Sequence, residues 1–118
     1  MNLASASTGC TLATGNLLGM VTRRSVLNYL YWTAYLRPDR DALFHRSSGR
    51  INQTRLAREL GCEGSTITHL IQADHEVGKA FLLHVLAWSQ EPNLETLLPK
   101  IRSSPPAPDN AYRQKIAD

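Results

Sequence analysis

Hydrophobic residues recur at helical spacing after residue 20, and the first such stretch is rich in aromatic residues. Residues 23–36 (RRSVLNYLYWTAYL) contain neither Gly nor Pro, which predicts a helix. We expect this helix to stop at Arg37, because Pro38 disfavours the helical conformation of the residue before it. A short second helix is predicted over residues 39–46, and Ser47-Ser48-Gly49 is expected to end it.

Four further helices are predicted in the rest of the chain, at about residues 53–60, 64–73, 75–89 and 93–101. Asn52 is placed to N-cap the first of these helices and Asp74 the third, while Pro92-Asn93 opens the last. The fold class is therefore all-α, a compact bundle of about five to six helices. A length of 118 residues, with 42% hydrophobic residues, suits one domain with a modest core.

Composition changes at both ends of this helical region. Residues 1–20 are rich in Ser, Thr, Ala and Gly and predict a flexible leader without the basic and apolar stretches of a secretory signal. Residues 21–102 form the predicted helical domain. Residues 103–118 are predicted to be a stiff, extended Pro-rich linker followed by a short C-terminal segment. Together they would form a flexible C-terminal tail, which is a candidate docking peptide for a protein partner.

Residues 52–72 have the pattern of a helix-turn-helix. Two short helices that cross steeply need a small residue where their backbones approach, and Ala57 supplies it. The first helix must end at a residue that tolerates positive φ, and Gly61 does. The space between the helices needs apolar side chains, and five occur at the required places: Leu56, Leu60, Cys62, Ile67 and Leu70.

This segment resembles the lambda-repressor-like (Cro-like) helix-turn-helix family, whose typical motif is Gln-x-x-Leu-Ala-x-x-Leu-Gly-x-x-x-x-x-Ile-x-x-Leu. The resemblance is close over about twenty residues, whereas the aromatic helix at 24–36 lies outside it. Family members often carry Ser or Thr as the cap of the second helix, where this chain has Glu63-Gly64-Ser65. The matching residues are Gln53, Leu56, Ala57, Leu60, Gly61, Ile67 and Leu70.

The second helix of the motif is predicted to have one buried and one exposed face. At about 100° per residue, Leu70 and Ile71 fall beside Ile67 and form the buried stripe, with Glu63 near its start. Four polar side chains fall on the opposite side: Ser65, Thr68, His69 and Gln72. We predict that these four read base edges in the major groove of DNA, the alternative being a merely solvated polar face.

The predicted reading face carries no Lys or Arg, so the attraction to phosphates must come from neighbouring residues. The family resemblance implies that Gln53 contacts a phosphate, and three arginines flank it in sequence: Arg46, Arg50 and Arg55. Residues 23–60 contain eight arginines against three acidic residues, a net charge of +5, whereas residues 61–99 have a net charge of −4. This asymmetry favours a polyanionic partner but is also found on ordinary solvated surfaces.

The helices at 24–36 and 75–89 are apolar on several faces. A helix of this kind must be buried on several faces, which predicts a homodimer. The alternative is that both helices wrap one core within the chain. The predicted dimer interface comprises Trp32, Tyr35, Leu82 and Leu86.

Several classes of function lack support in the sequence. No apolar run is long enough to span a membrane, and the two cysteines give no disulfide framework, so we expect a cytoplasmic protein. The four histidines lack metal-ligand spacing, and neither a nucleophile elbow nor a phosphate-binding glycine loop occurs. We therefore expect no metal, no cofactor and no enzymatic activity.

The resemblance implies sequence-specific binding of double-stranded DNA by a small dimeric transcriptional regulator. We expect a repressor of the kind found on phages, plasmids and bacterial chromosomes. The alternative is a protein–protein interaction module on the same fold, such as an antitoxin or an inhibitor of a defence system.

Overall fold

A computed structural model describes residues 21–72 and 77–113. Within these two ranges the chain is a helical globule, which confirms the predicted all-α class, and its strand-like pairing is a single isolated bridge between Phe44 and Ile51. The predicted leader, residues 1–20, lies outside the described residues. The helices are α1 (Arg23–Tyr35), α2 (Arg40–Leu43), α3 (Gln53–Leu60), α4 (Gly64–Gln72), α5 (Lys79–Ser89) and α6 (Leu94–Arg102).

The first helix begins at a capping box and ends before Pro38. The Thr22 hydroxyl accepts a hydrogen bond from the Ser25 backbone N–H at 3.1 Å, and the Ser25 hydroxyl accepts one from the Thr22 N–H at 3.1 Å. These bonds satisfy two N–H groups that the helix itself cannot pair. Leu36 follows as the C-cap, so the predicted end of this helix is confirmed.

The second helix is shorter than predicted: it ends at Leu43, whereas we expected it to continue to residue 46. Phe44 is extended and pairs with Ile51, and the His45 N–H donates to the Arg50 carbonyl at 2.7 Å. Between them, residues 45–50 form a loop in which Gly49 adopts a φ of 74°. The pairing across this loop therefore replaces the last turn of the predicted helix.

The start of α6 agrees with prediction, whereas the start of α5 does not. Pro92-Asn93 was predicted to open the last helix, and Asn93 does so as its N-cap, accepting from the Thr96 N–H at 3.0 Å. The helix predicted over 75–89 begins only at Lys79, because Gly78 is extended as its N-cap residue. The proposed cap Asp74 lies outside the described residues.

The core is built around α1 and the α3–α4 pair. Helix α1 packs against α2, α4 and α6, while α3 packs against α2, α4 and α5. The side chains of Leu27, Leu30, Leu56 and Ile67 are fully buried in this core. Helix α1 is thus covered mainly by its own chain.

Residues 103–113, which we call the C-terminal strap, cover a further part of α1. We expected a stiff, extended linker within a flexible C-terminal tail, but Tyr112 is buried and its hydroxyl donates to the Leu27 carbonyl. The Ala107 N–H donates to the Asn28 side chain at 3.0 Å, and the Trp32 indole N–H donates to the Pro105 carbonyl at 2.9 Å. The prediction of a free tail is wrong for residues 103–113; residues 114–118 lie outside the described residues.

Candidate nucleic-acid interface

Helices α3 and α4 are joined by a tight turn with the features predicted from the sequence. Asn52 caps α3 by accepting from the Arg55 N–H at 3.1 Å. Gly61 ends α3 with a φ of 81°, a conformation that costs a residue with a Cβ atom more than it costs glycine. The Cys62 N–H then donates to the Ala57 carbonyl at 2.9 Å and closes the helix end.

The predicted apolar contact between these helices is present. Ala57 is fully buried, so its small side chain lies inside the contact. Cys62 is only partly buried, and this burial raises the pKa of its thiol. The other four predicted contact residues are buried: Leu56, Leu60, Ile67 and Leu70. Packing against the core therefore fixes how α4 is rotated about its own axis.

That rotation leaves the predicted polar face of α4 accessible to different degrees. Ser65 and Gln72 are exposed, and Thr68 and His69 are partly exposed. The Thr68 hydroxyl donates to the Gly64 carbonyl at 3.4 Å, a bond that keeps it close to the helix. The outer face of α4 thus presents hydroxyl, amide and imidazole groups, all of which can hydrogen-bond with base edges.

A cleft of about 650 Å³ lies beside this face. It brings together Thr68 from the predicted reading face with Gln53 and Arg50 from the predicted phosphate set. These residues come from α4, from the start of α3 and from the loop before it. The remaining lining residues are His45, Ser48, Ile51, Asn52, Thr54, Gly64 and Arg113.

The charge of the cleft is positive. Arg50 and Arg113 both line it, and neither Asp nor Glu occurs among its lining residues within the described chain. Both arginines are exposed, and their guanidinium groups form no ion pair in the described part of the chain. A polyanion entering this cleft would therefore meet two cationic groups without displacing an internal partner.

The other two predicted phosphate contacts do not line the cleft. Arg46 is exposed in the adjoining loop. Arg55 instead pairs with Glu59 one turn along α3, at 3.1 Å from its Nε atom, and Glu59 also accepts from the Trp88 indole at 3.3 Å. Arg55 therefore contributes to the α3–α5 contact in this structure, and Arg50 has the better position for a ligand.

Arg113 and His45 are cleft residues that the sequence analysis did not select. Arg113 reaches the cleft because its backbone N–H donates to the Gln53 side-chain oxygen at 2.9 Å, across sixty residues of sequence. His45 is placed by the bridge that shortens α2. No local sequence pattern connects either residue to the start of α3, and only the basic side chain of Arg113 offered a signal.

The residues predicted to form a dimer interface are mostly engaged within the chain. Leu82 is buried in the core of its own chain, so the expectation that it lies at a subunit contact needs correction, whereas Leu86 is only partly buried and stays a prediction. Trp32 packs under the C-terminal strap. Tyr35 alone of the four is exposed, at 43%.

Two features are absent from the described residues. In this part of the chain no helix is long and apolar enough to cross a membrane. Across the same ranges, residues 21–72 and 77–113, no three His, Cys, Asp or Glu side chains are grouped so as to hold a metal ion.

Comparison of the chain with protein-family models, with curated proteins and with solved structures finds no match.

Proposed function

We propose that this protein binds double-stranded DNA and acts as a small transcriptional regulator, with α3 and α4 as its helix-turn-helix. The observation that carries the proposal is the juxtaposition of a polar, exposed α4 face with a cationic cleft at the start of α3. The polar face of α4 can hydrogen-bond with base edges, and the cationic cleft can attract the negative charge of phosphates. One surface thus carries both kinds of group that a DNA-binding protein needs.

In this proposal α4 enters the major groove. That groove is about 12 Å wide and admits one α-helix, and its base edges distinguish all four base pairs. Gln72 pairs with an adenine edge, while Ser65 and Thr68 supply hydroxyl groups and His69 an imidazole. Arg50 and Gln53 bind the phosphates that border the groove and set the register of the complex.

The proposal extends to a homodimer, because one α4 reads only a half-site. Two recognition helices about 34 Å apart meet successive major grooves on one side of the duplex. Leu82 cannot supply the contact, since it is buried in its own chain. Tyr35 and Leu36, which are 43% and 79% exposed at the end of α1, are the better candidates.

The dimer is tested by sedimentation equilibrium at micromolar concentration. The parent protein is expected to show twice its chain mass of 13.1 kDa, and Leu36→Arg should reduce this to the chain mass. Leu83→Arg is the matched control, because Leu83 is also exposed but lies on α5. A single-chain mass for the parent protein would contradict the dimer and leave the DNA proposal to its own test.

DNA binding is tested by fluorescence anisotropy on labelled random duplex DNA at several salt concentrations. The logarithm of the binding constant should fall linearly with the logarithm of salt concentration, at about 0.9 per phosphate contacted. A sequence selected from a random pool then allows a specificity test: Gln72→Ala should cost about 1–3 kcal/mol on that sequence and little on random DNA.

The DNA-binding measurement also distinguishes the proposed regulator from the alternative, a protein–protein interaction module. If the parent protein does not bind duplex DNA at low salt, the regulator proposal is wrong and the result favours the protein–protein interaction module. If Gln72→Ala weakens binding equally on both DNAs, α4 is not the reading helix.

A further inference from the structure

The C-terminal strap runs from α1 to the start of α3, directly beside the cleft. Its first contacts are with α1, through Trp32 and Asn28. It then reaches the loop before α3, where the Ala111 carbonyl accepts from the Ile51 N–H at 2.7 Å. Arg113 follows and bonds to Gln53. The strap thus delivers a residue from far along the chain to the cationic cleft.

The bond from Arg113 fixes how Gln53 can interact with a ligand. The side-chain amide of Gln53 has one oxygen acceptor and one NH2 donor group. Its oxygen is engaged by the Arg113 backbone N–H at 2.9 Å. This bond orients the amide and leaves its NH2 group, which can only donate, available to a ligand in the cleft. A donor held in this way suits an oxygen-rich anion such as a phosphate diester.

The side chain of Arg113 adds a second group that can donate hydrogen bonds to an anion. Its guanidinium is exposed and lines the cleft together with that of Arg50. Arg50 comes from the loop before α3 and Arg113 from the strap, so two separate segments bring positive charge to the cleft that Gln53 also lines. Guanidinium groups bind phosphate oxygens through two parallel hydrogen bonds.

We infer that the C-terminal strap is part of the DNA-binding surface: Arg113 binds a backbone phosphate through its side chain and positions Gln53 through its backbone N–H. This inference rests on the proposed function and assigns to the strap a role beyond covering α1. Because phosphates carry no sequence information, Arg113 raises the affinity for every duplex alike.

The experiment measures binding of the full-length chain to random duplex DNA as a function of salt. Arg113→Ala removes the guanidinium but keeps the backbone N–H that holds Gln53. It should lower the salt slope by about 0.9 and the affinity by up to about tenfold at 0.1 M salt. Arg58→Ala is the matched control, because Arg58 is an exposed arginine of α3 that does not line the cleft.

Gln53→Glu tests the positioning role separately. Glutamate keeps an oxygen that can accept from the Arg113 N–H, so the strap contact is retained, but it lacks the NH2 donors and adds negative charge. Binding should fall by more than in Arg113→Ala, by the same factor on random and selected DNA. Thermal unfolding followed by circular dichroism should show a melting temperature close to that of the parent for both variants.

The possible results are distinguishable. If the parent protein binds DNA and Arg113→Ala leaves its salt slope unchanged, the inference is wrong while the proposed function stands. Equal losses for Arg113→Ala and Arg58→Ala would also overturn it, because they would indicate an effect of overall charge. If the parent protein binds no duplex DNA, the proposed function and this inference fall together.

Discussion

Helix α1 and the α3–α4 pair are both buried, but they are buried by different means. The contact between α3 and α4 is formed by residues between Leu56 and Leu70 on the two sides of a short turn, while α1, α2 and α5 cover the rest of the pair. Helix α1 depends on partners far along the chain, because the strap residues that cover it lie 73 to 85 positions away from Trp32 and Leu27. The determinants of the first arrangement are local and those of the second are not.

The two regions meet at the start of α3, and this has a consequence for the site. Two hydrogen bonds join this point to the strap that covers α1. Ile51 donates one to the strap, and Gln53 accepts the other from it. The cleft therefore belongs to both regions: α4 supplies its polar wall, and the strap supplies one of its arginines. Changes that separate the two regions should affect stability and binding together, whereas changes confined to one should not.

The largest expected effect comes from removing the strap's anchor. Tyr112→Ala should lower the free energy of unfolding by about 3–5 kcal/mol, because a buried aromatic ring is lost and a cavity is left. Leu83→Ala is the control, since that side chain is 46% exposed and lies away from the strap and the proposed dimer contact, and it should cost less than half as much. Urea unfolding followed by circular dichroism measures both. Equal costs would mean that the strap does not stabilise α1.

The next effect tests the local determinants of the α3–α4 turn. Gly61→Ala should cost about 1–2 kcal/mol, because its φ of 81° is unfavourable for alanine although the added Cβ meets the His84 ring only at an ordinary 3.5 Å. Gly64→Ala has open space around the new Cβ and no positive φ, so it should be neutral or stabilising. Urea unfolding of the two variants measures both changes in the free energy of unfolding. If Gly61→Ala loses less stability than Gly64→Ala, the turn does not require a residue that tolerates positive φ.

The smallest expected effect on stability concerns an ion pair between the turn that precedes α6 and the last turn of α6. Lys100 donates to Glu91 at 2.8 Å and thereby lowers the pKa of that carboxyl below its usual value near 4.5. A lowered pKa in the folded state gives stability that is present above the usual pKa and lost as pH falls through the lowered one. Between pH 5 and 3, Glu91→Gln should therefore lose less stability than the parent protein. Identical losses in urea unfolding would contradict the role of this pair.

The parts of the fold that were predictable from sequence are those with local causes. Asn52 as a cap, Gly61 as the helix end and the buried stripe of α4 follow from side-chain chemistry and helical spacing within twenty residues. The rotation of α4, and hence which of its residues are exposed, follows from the same spacing. This is why Ser65 and Gln72 were correctly expected to face outward.

The errors arose where a contact that helical spacing does not reveal decides the outcome. The helix predicted to residue 46 ends at Leu43, because Phe44 pairs with Ile51, and a periodic pattern cannot reveal that competing contact. The apolar surplus of α1 suggested a second subunit, but part of its cover is Tyr112. The presence of Arg113 in the cleft has the same origin, since it depends on where the strap ends its path.

The central claim is that the outer face of α4 and the adjoining cleft contact duplex DNA, and it is tested most directly by nuclear magnetic resonance. Backbone amide signals are followed while unlabelled duplex DNA is added to isotope-labelled protein. The account predicts that the largest chemical-shift changes fall on residues 64–72, on Gln53 and Arg113, and on the loop at 45–50, with little change over α5 and α6. Changes concentrated on α5 and α6, with α4 unaffected, would contradict it.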